Sequence, residues 1–266
     1  KTYSYDSLNR LTELLNRING IEISPFQYEY DAVGNKTKIT DKLGEHLANY
    51  DEVYRLLGLT NSLATGGNET FGYDLTGNIT EKIGITASHN ELNQITSSDD
   101  GTSLIYDNNG NVTQKVQGGI TWNFVWSSQN QLLSAVSSDG KSITYSYDAF
   151  GRRISKTSNG ITIQYIYDGE DILLQYENGL LATRYTQGPG TDEHLVKTNV
   201  TTGANYFYHT DGLGSTTAIT DSTGSIVESY RYSSYGIPTI YDKDGLEITA
   251  SSIGNYYLHT GRVYDF

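Results

Sequence analysis

The chain contains no cysteine. That excludes a disulfide framework, a thiolate zinc site and a cysteine nucleophile, and leaves hydrogen bonds and packing to hold the fold. Methionine is absent as well. A natural chain begins with it, and "KTYSYDSLNRL" opens inside a repeat, without the charged, apolar and small-residue zones of a signal peptide. The sequence therefore reads as an excised or partly ordered piece. No apolar run approaches the roughly 20 residues that cross a bilayer as a helix, so a soluble segment without a membrane span is expected. Basic residues are few: 18 Lys and Arg stand against 31 Asp and Glu, a formal charge of -13. Phosphate recognition needs clustered cations, so nucleic acid and anionic membrane surfaces are unfavoured partners. Proline occurs only three times.

Tyrosine and glycine are plentiful. Tyr supplies 23 residues against 6 Phe and 2 Trp, and Gly reaches 28 among 266 residues. Strand formers combined with residues that permit tight turns point to β structure. The pattern Asp-x-x-Gly begins at Asp31, Asp41, Asp74, Asp107, Asp148, Asp211, Asp221 and Asp242, against about two copies expected from composition. Asp at the first position of a type I turn accepts backbone hydrogen bonds, and Gly at the fourth takes positive φ, so each copy predicts a hairpin corner. Asn-Gly or Asp-Gly at 19–20, 100–101, 139–140, 159–160 and 178–179 predicts a second set, two-residue type I′ hairpins.

Between corners the residues alternate. In "SITYSYD" (142–148) Ile143, Tyr145 and Tyr147 share one face and Ser142, Thr144 and Ser146 the other; "ITIQYIYD" (161–168) repeats this. "YDSLNRLTELLNRING" is the best helical candidate by spacing, but its repeat frame favours strand. Tyr-Asp-x-x-Gly-Asn or a close relative (30–35, 73–78, 106–111, 147–152) interleaves with "YDSLNRL", "YDEVYRL", "HNELNQI" and "WSSQNQL". A period of about 20 residues, doubled to about 40, marks an array whose units bury their faces on their neighbours.

These residues resemble the Rhs/YD-repeat family. Nine Tyr-Asp pairs carry the resemblance, beginning at Tyr5, Tyr30, Tyr50, Tyr73, Tyr106, Tyr147, Tyr167, Tyr241 and Tyr264. The stretch "YFYHTDGLGSTTAITDSTGSIVESYRYSSYGIP" (206–238) with "YYLHTGRVYD" (256–265) is similar to the block that closes the repeats of Rhs proteins. The resemblance implies an all-β strip of antiparallel hairpins curving into a shell wall, with a hairpin array over 1–187 and a core-like segment over 188–266. In toxin complexes and Rhs toxins such a shell encloses a C-terminal toxin domain; in teneurins it serves adhesion. The chain departs from the family pattern in two places. It lacks any Asp-Pro, the family's self-cleavage motif, its prolines being Pro25, Pro189 and Pro238, and "YSSYG" (232–236) stands for Tyr-Asp-Pro-Phe-Gly.

Candidate sites weigh lightly. His209 and Asp211 in "YHTDGLGS" could form an acid/base or metal pair, but Asp211 also opens a turn closed by Gly214, which predicts structural roles. His46, His89, His194 and His259 show no ligand spacing. Oxygen-rich "DNNGN" and "DKDG" fit no complete calcium loop. Asn-x-Thr sequons at Asn35, Asn68, Asn78, Asn111 and Asn199 read as turn residues followed by strand threonines. Exposed tyrosines could stack on sugars, and "GPGTDE" (188–193), which interrupts the ten-residue rhythm, predicts a long loop. The expectation is a non-catalytic wall segment with no metal or cofactor, secreted or at the surface of a bacterial cell, enclosing or presenting a toxin or effector cargo. The alternatives are a cell-surface adhesion or carbohydrate-binding module, and a structural protein that self-associates through strand edges.

Overall fold

The computed structural model describes residues 1–61 and 67–265. Its 25 strands follow one another through the sequence, and the single helical element among the described residues is a 3-10 turn at His259–Gly261. The helix-like stretch near the N-terminus is strand, Leu11–Ile18. Pairing is antiparallel between sequence neighbours, as in Val112–Gln117 with Ile120–Trp126, and Ser142–Tyr147 with Arg153–Ser158. The chain divides into two compact units, residues 70–182 and residues 1–69 together with 183–266.

In the 70–182 unit the alternation read from sequence is visible strand by strand. Ile143, Tyr145 and Tyr147 are half-buried while Ser142, Thr144 and Ser146 are exposed. Cross-strand pairs hold each face. Tyr145 lies opposite Lys156, which lies opposite Ile163, and Ser146 and Ser155 share a hydroxyl hydrogen bond on the other side. Few side chains in this unit are fully covered; Phe71, Ala135, Ile172, Ser137 and Gln175 are buried among the described residues.

The other unit has a closed core. Leu14, Phe26 and Tyr28 cluster with Leu11, Tyr30 and Ile39 against them. This N-terminal hairpin lies on the 205–224 segment: Asn16 Nδ2 donates to the Thr210 carbonyl at 3.0 Å, and the Gly212 N–H donates to Tyr28 Oη at 2.9 Å. Gly212 is required by contact rather than by φ. A Cβ there would meet Leu11 Cδ2 at 2.8 Å and Tyr28 Oη at 3.0 Å. Ile219 and Leu258 are completely buried, in company with Tyr185, Tyr208, Tyr230 and Tyr257.

Two turn expectations are corrected. The pairs 19–20, 159–160 and 178–179 carry positive φ at both residues, as type I′ requires. At 100–101 and 139–140 only the glycine does. There Ser98 and Ser137 take the first corner position, with Gly101 N–H on Ser98 O at 3.1 Å and Gly140 N–H on Ser137 O at 3.1 Å. Asp100 stands one residue before its glycine, and its carboxylate holds the corner from inside, accepting Ser98 Oγ at 2.6 Å and Thr102 N–H at 2.9 Å. Asp41–Gly44 also differs from the other Asp-x-x-Gly copies. Asp41 pairs directly with Gly44, leaving a two-residue loop at 42–43.

Candidate functional site

The repeated corner is the chain's most frequent local structure, and it has a fixed chemistry. At Asp107 the backbone N–H donates to Asn111 O at 2.9 Å and Gly110 N–H returns to Asp107 O at 3.1 Å. One carboxylate oxygen accepts the N–H groups of Asn109 and Asn111, both at 2.9 Å, and the other accepts Asn111 Nδ2 at 2.9 Å. The Asn111 amide and then these backbone donors hold the Asp107 carboxyl below its usual range. Asp31 and Asp74 are clamped alike by Asn35 and Asn78, while Arg10, Arg55 and Arg152 clamp Asp6, Asp51 and Asp148. The two interleaved sequence forms are therefore one corner with different clamps. The fourth position takes positive φ whether it is Gly110 at 86°, Asn93 at 60° or Tyr54 at 68°.

Sequence reading missed the tyrosine. Tyr106 Oη donates to the Ile95 carbonyl at 2.7 Å, Tyr147 Oη to Leu132 O at 2.9 Å and Tyr167 Oη to Arg153 O at 2.8 Å. In the other unit Tyr30, Tyr50 and Tyr232 do the same to Leu11, Lys36 and Thr216. Trp126 substitutes its indole N–H, reaching Val112 O at 2.8 Å. Each acceptor is the first residue after the preceding corner, beyond the end of the ladder with the following strand, which for 112–117 stops at Gln114 opposite Asn123. The clasp satisfies a carbonyl that strand pairing leaves over. Neighbouring corners also touch directly: Asn78 Nδ2 meets Asn93 Oδ1, and Asn111 Nδ2 meets Asn130 Oδ1, both at 2.9 Å.

These bonds place the sequence candidates. The Nδ2 atoms of Asn35, Asn78 and Asn111 are engaged in their corners, so a glycan on any of them would break a turn. Asn68 and Asn199 accept backbone N–H groups through Oδ1. An open cleft of about 630 Å³ lies between the corners at 90–94 and 107–111, lined in part by Leu92, Gln94, Tyr106 and Asn109. Its carboxylate, Asp107, is spent on its own turn.

His209 and Asp211 do not pair. His209 Nε2 bonds Thr220 Oγ1 at 2.9 Å, and burial lowers its pKa to about 4. Asp211 accepts the N–H groups of Leu213 and Ser215 at 2.8 and 2.9 Å as the opening residue of its corner, and burial pushes its carboxyl up. His46 lies 3.2 Å from Asp41, whose hydrogen bond raises the imidazole's pKa. His194 places one ring nitrogen 2.7 Å from Gln187 Oε1 and the other 2.8 Å from Gly261 O, and stacks on Tyr257. No group of three or more His, Asp or Glu suited to a metal occurs among the described residues. The 188–193 loop is closed by Gly188 N–H on Glu193 O at 2.7 Å.

A buried polar cluster sits in the C-terminal segment. Glu228, fully buried, accepts Ser251 Oγ at 2.7 Å, the N–H and Oγ of Ser252 at 2.6 and 2.7 Å, Ile253 N–H at 3.2 Å, and Tyr230 Oη. Lys197 donates to the carbonyls of Ile253 and Gly254. Asn255 uses every hydrogen-bonding position: Tyr208 Oη and Tyr257 N–H donate to Oδ1 at 2.9 and 3.1 Å, and Nδ2 donates to Tyr230 Oη and Tyr257 O, both at 3.1 Å. Together these groups fasten residues 251–257 onto the sheet.

The teneurin YD-shell family matches residues 1–245. The chain belongs to that family. No curated protein matches it. Among solved structures, the YD-shell segment is similar to TcdB2-TccC3-Cdc42, with a TM-score of 0.68 and 17% identity, over 99% of this chain and 16% of that one. It is also similar to the Photorhabdus luminescens Tc holotoxin pore carrying TccC3-D651A, with a TM-score of 0.66 and 18% identity, over 98% and 16%. TcdB2-TccC3 without its hypervariable C-terminal region gives a TM-score of 0.66 and 18% identity over 99% and 16%. The YD-shell segment thus spans about a sixth of these chains' length. At these identities the likeness is one of fold.

Proposed function

We propose that this segment is a length of shell wall in a larger secreted or cell-surface bacterial protein, enclosing or presenting a C-terminal toxin or effector cargo without catalysis of its own. Residues 1–187 supply the hairpin array and residues 188–266 the block that finishes it. The observation that carries the reading is the chain-long fold likeness to TcdB2-TccC3, a protein that has also been solved without a hypervariable C-terminal region. The corner chemistry suits the task. Ladder ends are capped by tyrosine clasps and carboxylates are consumed in turns, so the wall offers few open backbone groups to a passenger chain.

The test is protease protection in the full-length parent protein. A segment following the YD-shell should resist cleavage in the intact chain and become cleavable once the wall is weakened by Gly110→Val. Equal cleavage in both would refute enclosure.

A further inference from the structure

Three turns of the 70–182 unit are tied to the strand behind them by a side-chain oxygen. Asp99, Ser138 and Asn178 each donate the backbone N–H to the carbonyl of a threonine, Thr86, Thr121 and Thr162, at 3.0, 2.8 and 2.8 Å. Each then accepts that threonine's N–H on its own side chain, at 3.1, 3.1 and 2.9 Å. The placement is regular. The residue before the turn residue pairs with the residue after the threonine: Ser98 with Ala87, Ser137 with Trp122 and Glu177 with Ile163. Asn159 occupies the same place, because Ser158 pairs with Ile143 and Ser142 stands where the threonine would be. Yet Asn159 and Ser142 are both exposed, and no hydrogen bond joins them among the described residues.

That gap matters because Asn159 precedes a glycine. With no Cβ to shield its nitrogen, glycine leaves the preceding asparagine open to attack by the backbone. We propose that Asn159 converts spontaneously to aspartate and isoaspartate in the folded protein, while the clasp on Thr162 spares Asn178. Hydroxide takes the Gly160 N–H proton, and the nitrogen lone pair adds to Asn159 Cγ, closing a succinimide ring. The Cγ–Nδ2 bond breaks, and ammonia departs with a proton from solvent. Water then adds to one of the two ring carbonyls and breaks its bond to the ring nitrogen, leaving either product. Water is the co-reactant, and no oxidation state changes. The two Asn-Gly turns differ in little but the clasp. Their φ angles match, 51° and 79° at 159–160 against 49° and 82° at 178–179, and a Cβ on either glycine meets nothing within 4 Å. Asn178 Oδ1, held by the Thr162 N–H, cannot swing its acyl carbon onto the Gly179 nitrogen without giving up that bond. Asn109 is guarded differently, since the Gly110 nitrogen donates its N–H to Asp107 O at 3.1 Å inside the corner. Isoaspartate routes the main chain through the side-chain carbon, lengthening the two-residue loop that the Ser158 and Ile161 pair closes.

The experiment is a time course of mass-spectrometric peptide mapping on the full-length protein, incubated near pH 8 in native buffer and, in parallel, in concentrated urea. Each conversion exchanges an amide NH for O, and fragmentation separates aspartate from isoaspartate. In native buffer Asn159 should convert about tenfold faster than Asn178, whose two bonds to Thr162 must open first. In urea, where no clasp exists, the two rates should converge. Asn159→Gly keeps a sequence suited to positive φ and should remove the product at that position. Equal native rates at Asn159 and Asn178 overturn the proposal, as does an Asn159 that stays intact in native buffer while converting in urea. A difference that persists unchanged in urea also overturns it, by assigning the effect to flanking sequence instead of the clasp.

Discussion

The 70–182 unit and the unit formed by 1–69 with 183–266 share one corner and one tyrosine clasp, yet they stay folded by different means. In 70–182 nearly every side chain remains at least partly exposed, and order comes from local bonds repeated at each corner. In the other unit, strands far apart in sequence cover one another, as Asn16 and Thr210 do across 194 residues, and whole polar groups leave water. A local lattice spreads stability over many small terms. A closed core concentrates it in a few large ones.

The sharpest way to break this contrast is Glu228→Ala, which leaves Lys197 buried without its counter-charge and strips the partners from Ser251, Ser252 and Tyr230. A loss of about 3–5 kcal/mol is expected by chemical denaturation, and a loss under about 1 kcal/mol would mean that the buried cluster does not hold the unit.

Next in size is a pH effect. Burial lowers the His209 pKa to about 4 from the ordinary value near 6.5. The unfolded chain therefore binds more protons between those values. His209 stabilises the fold fully above about pH 6.5, and that contribution fades as pH falls toward 4, by up to about 3 kcal/mol. His209→Gln should flatten the denaturation midpoint against pH over that window, and an unchanged slope would remove His209 as its source.

Smaller effects belong to the 70–182 unit. Gly110 sits at φ 86°, with a built Cβ 3.4 Å from Gln94 Nε2. Gly110→Val should cost about 1–3 kcal/mol from forced positive φ, read as a shift in urea midpoint; an unmoved midpoint refutes the corner geometry. Tyr147→Phe should cost about 1 kcal/mol through the lost bond to Leu132 O. If Tyr147→Phe cost as much as Glu228→Ala, the difference between the two units would collapse.

Local features were legible because they depend on few neighbouring residues. Asp107 and Gly110 announce a corner by themselves, and the alternation of Ile143, Tyr145 and Tyr147 announces a face. The Asp-Gly pairs at 100–101 and 139–140 misled because the dipeptide signal ignores what stands two residues earlier, where Ser98 and Ser137 claim the corner. The purpose of the tyrosine at Tyr30, Tyr50, Tyr106, Tyr147 and Tyr167 was hidden for a related reason. Its acceptor lies on the strand behind the preceding corner, a distance that varies from 11 residues for Tyr106 to 19 for Tyr30. His209 and Asp211 stand two residues apart in sequence, but in the fold Asp211 is occupied by its corner and His209 by a cross-strand threonine.

What the sequence determined on its own is the element: antiparallel hairpins of known corner type, repeated and acidic, in a chain that must do without disulfides. Turn geometry and side-chain alternation are short-range properties, set by backbone sterics and by the pleat. What only the tertiary structure decided is burial. That the strand holding Leu14 and Asn16 would lie on the segment holding Thr210, and that Lys197, Glu228 and Asn255 would meet in one dry cluster, follows from packing between positions dozens to hundreds of residues apart. No periodicity encodes those meetings, because the residues concerned share no repeat position and acquire their chemistry only when water is excluded from them.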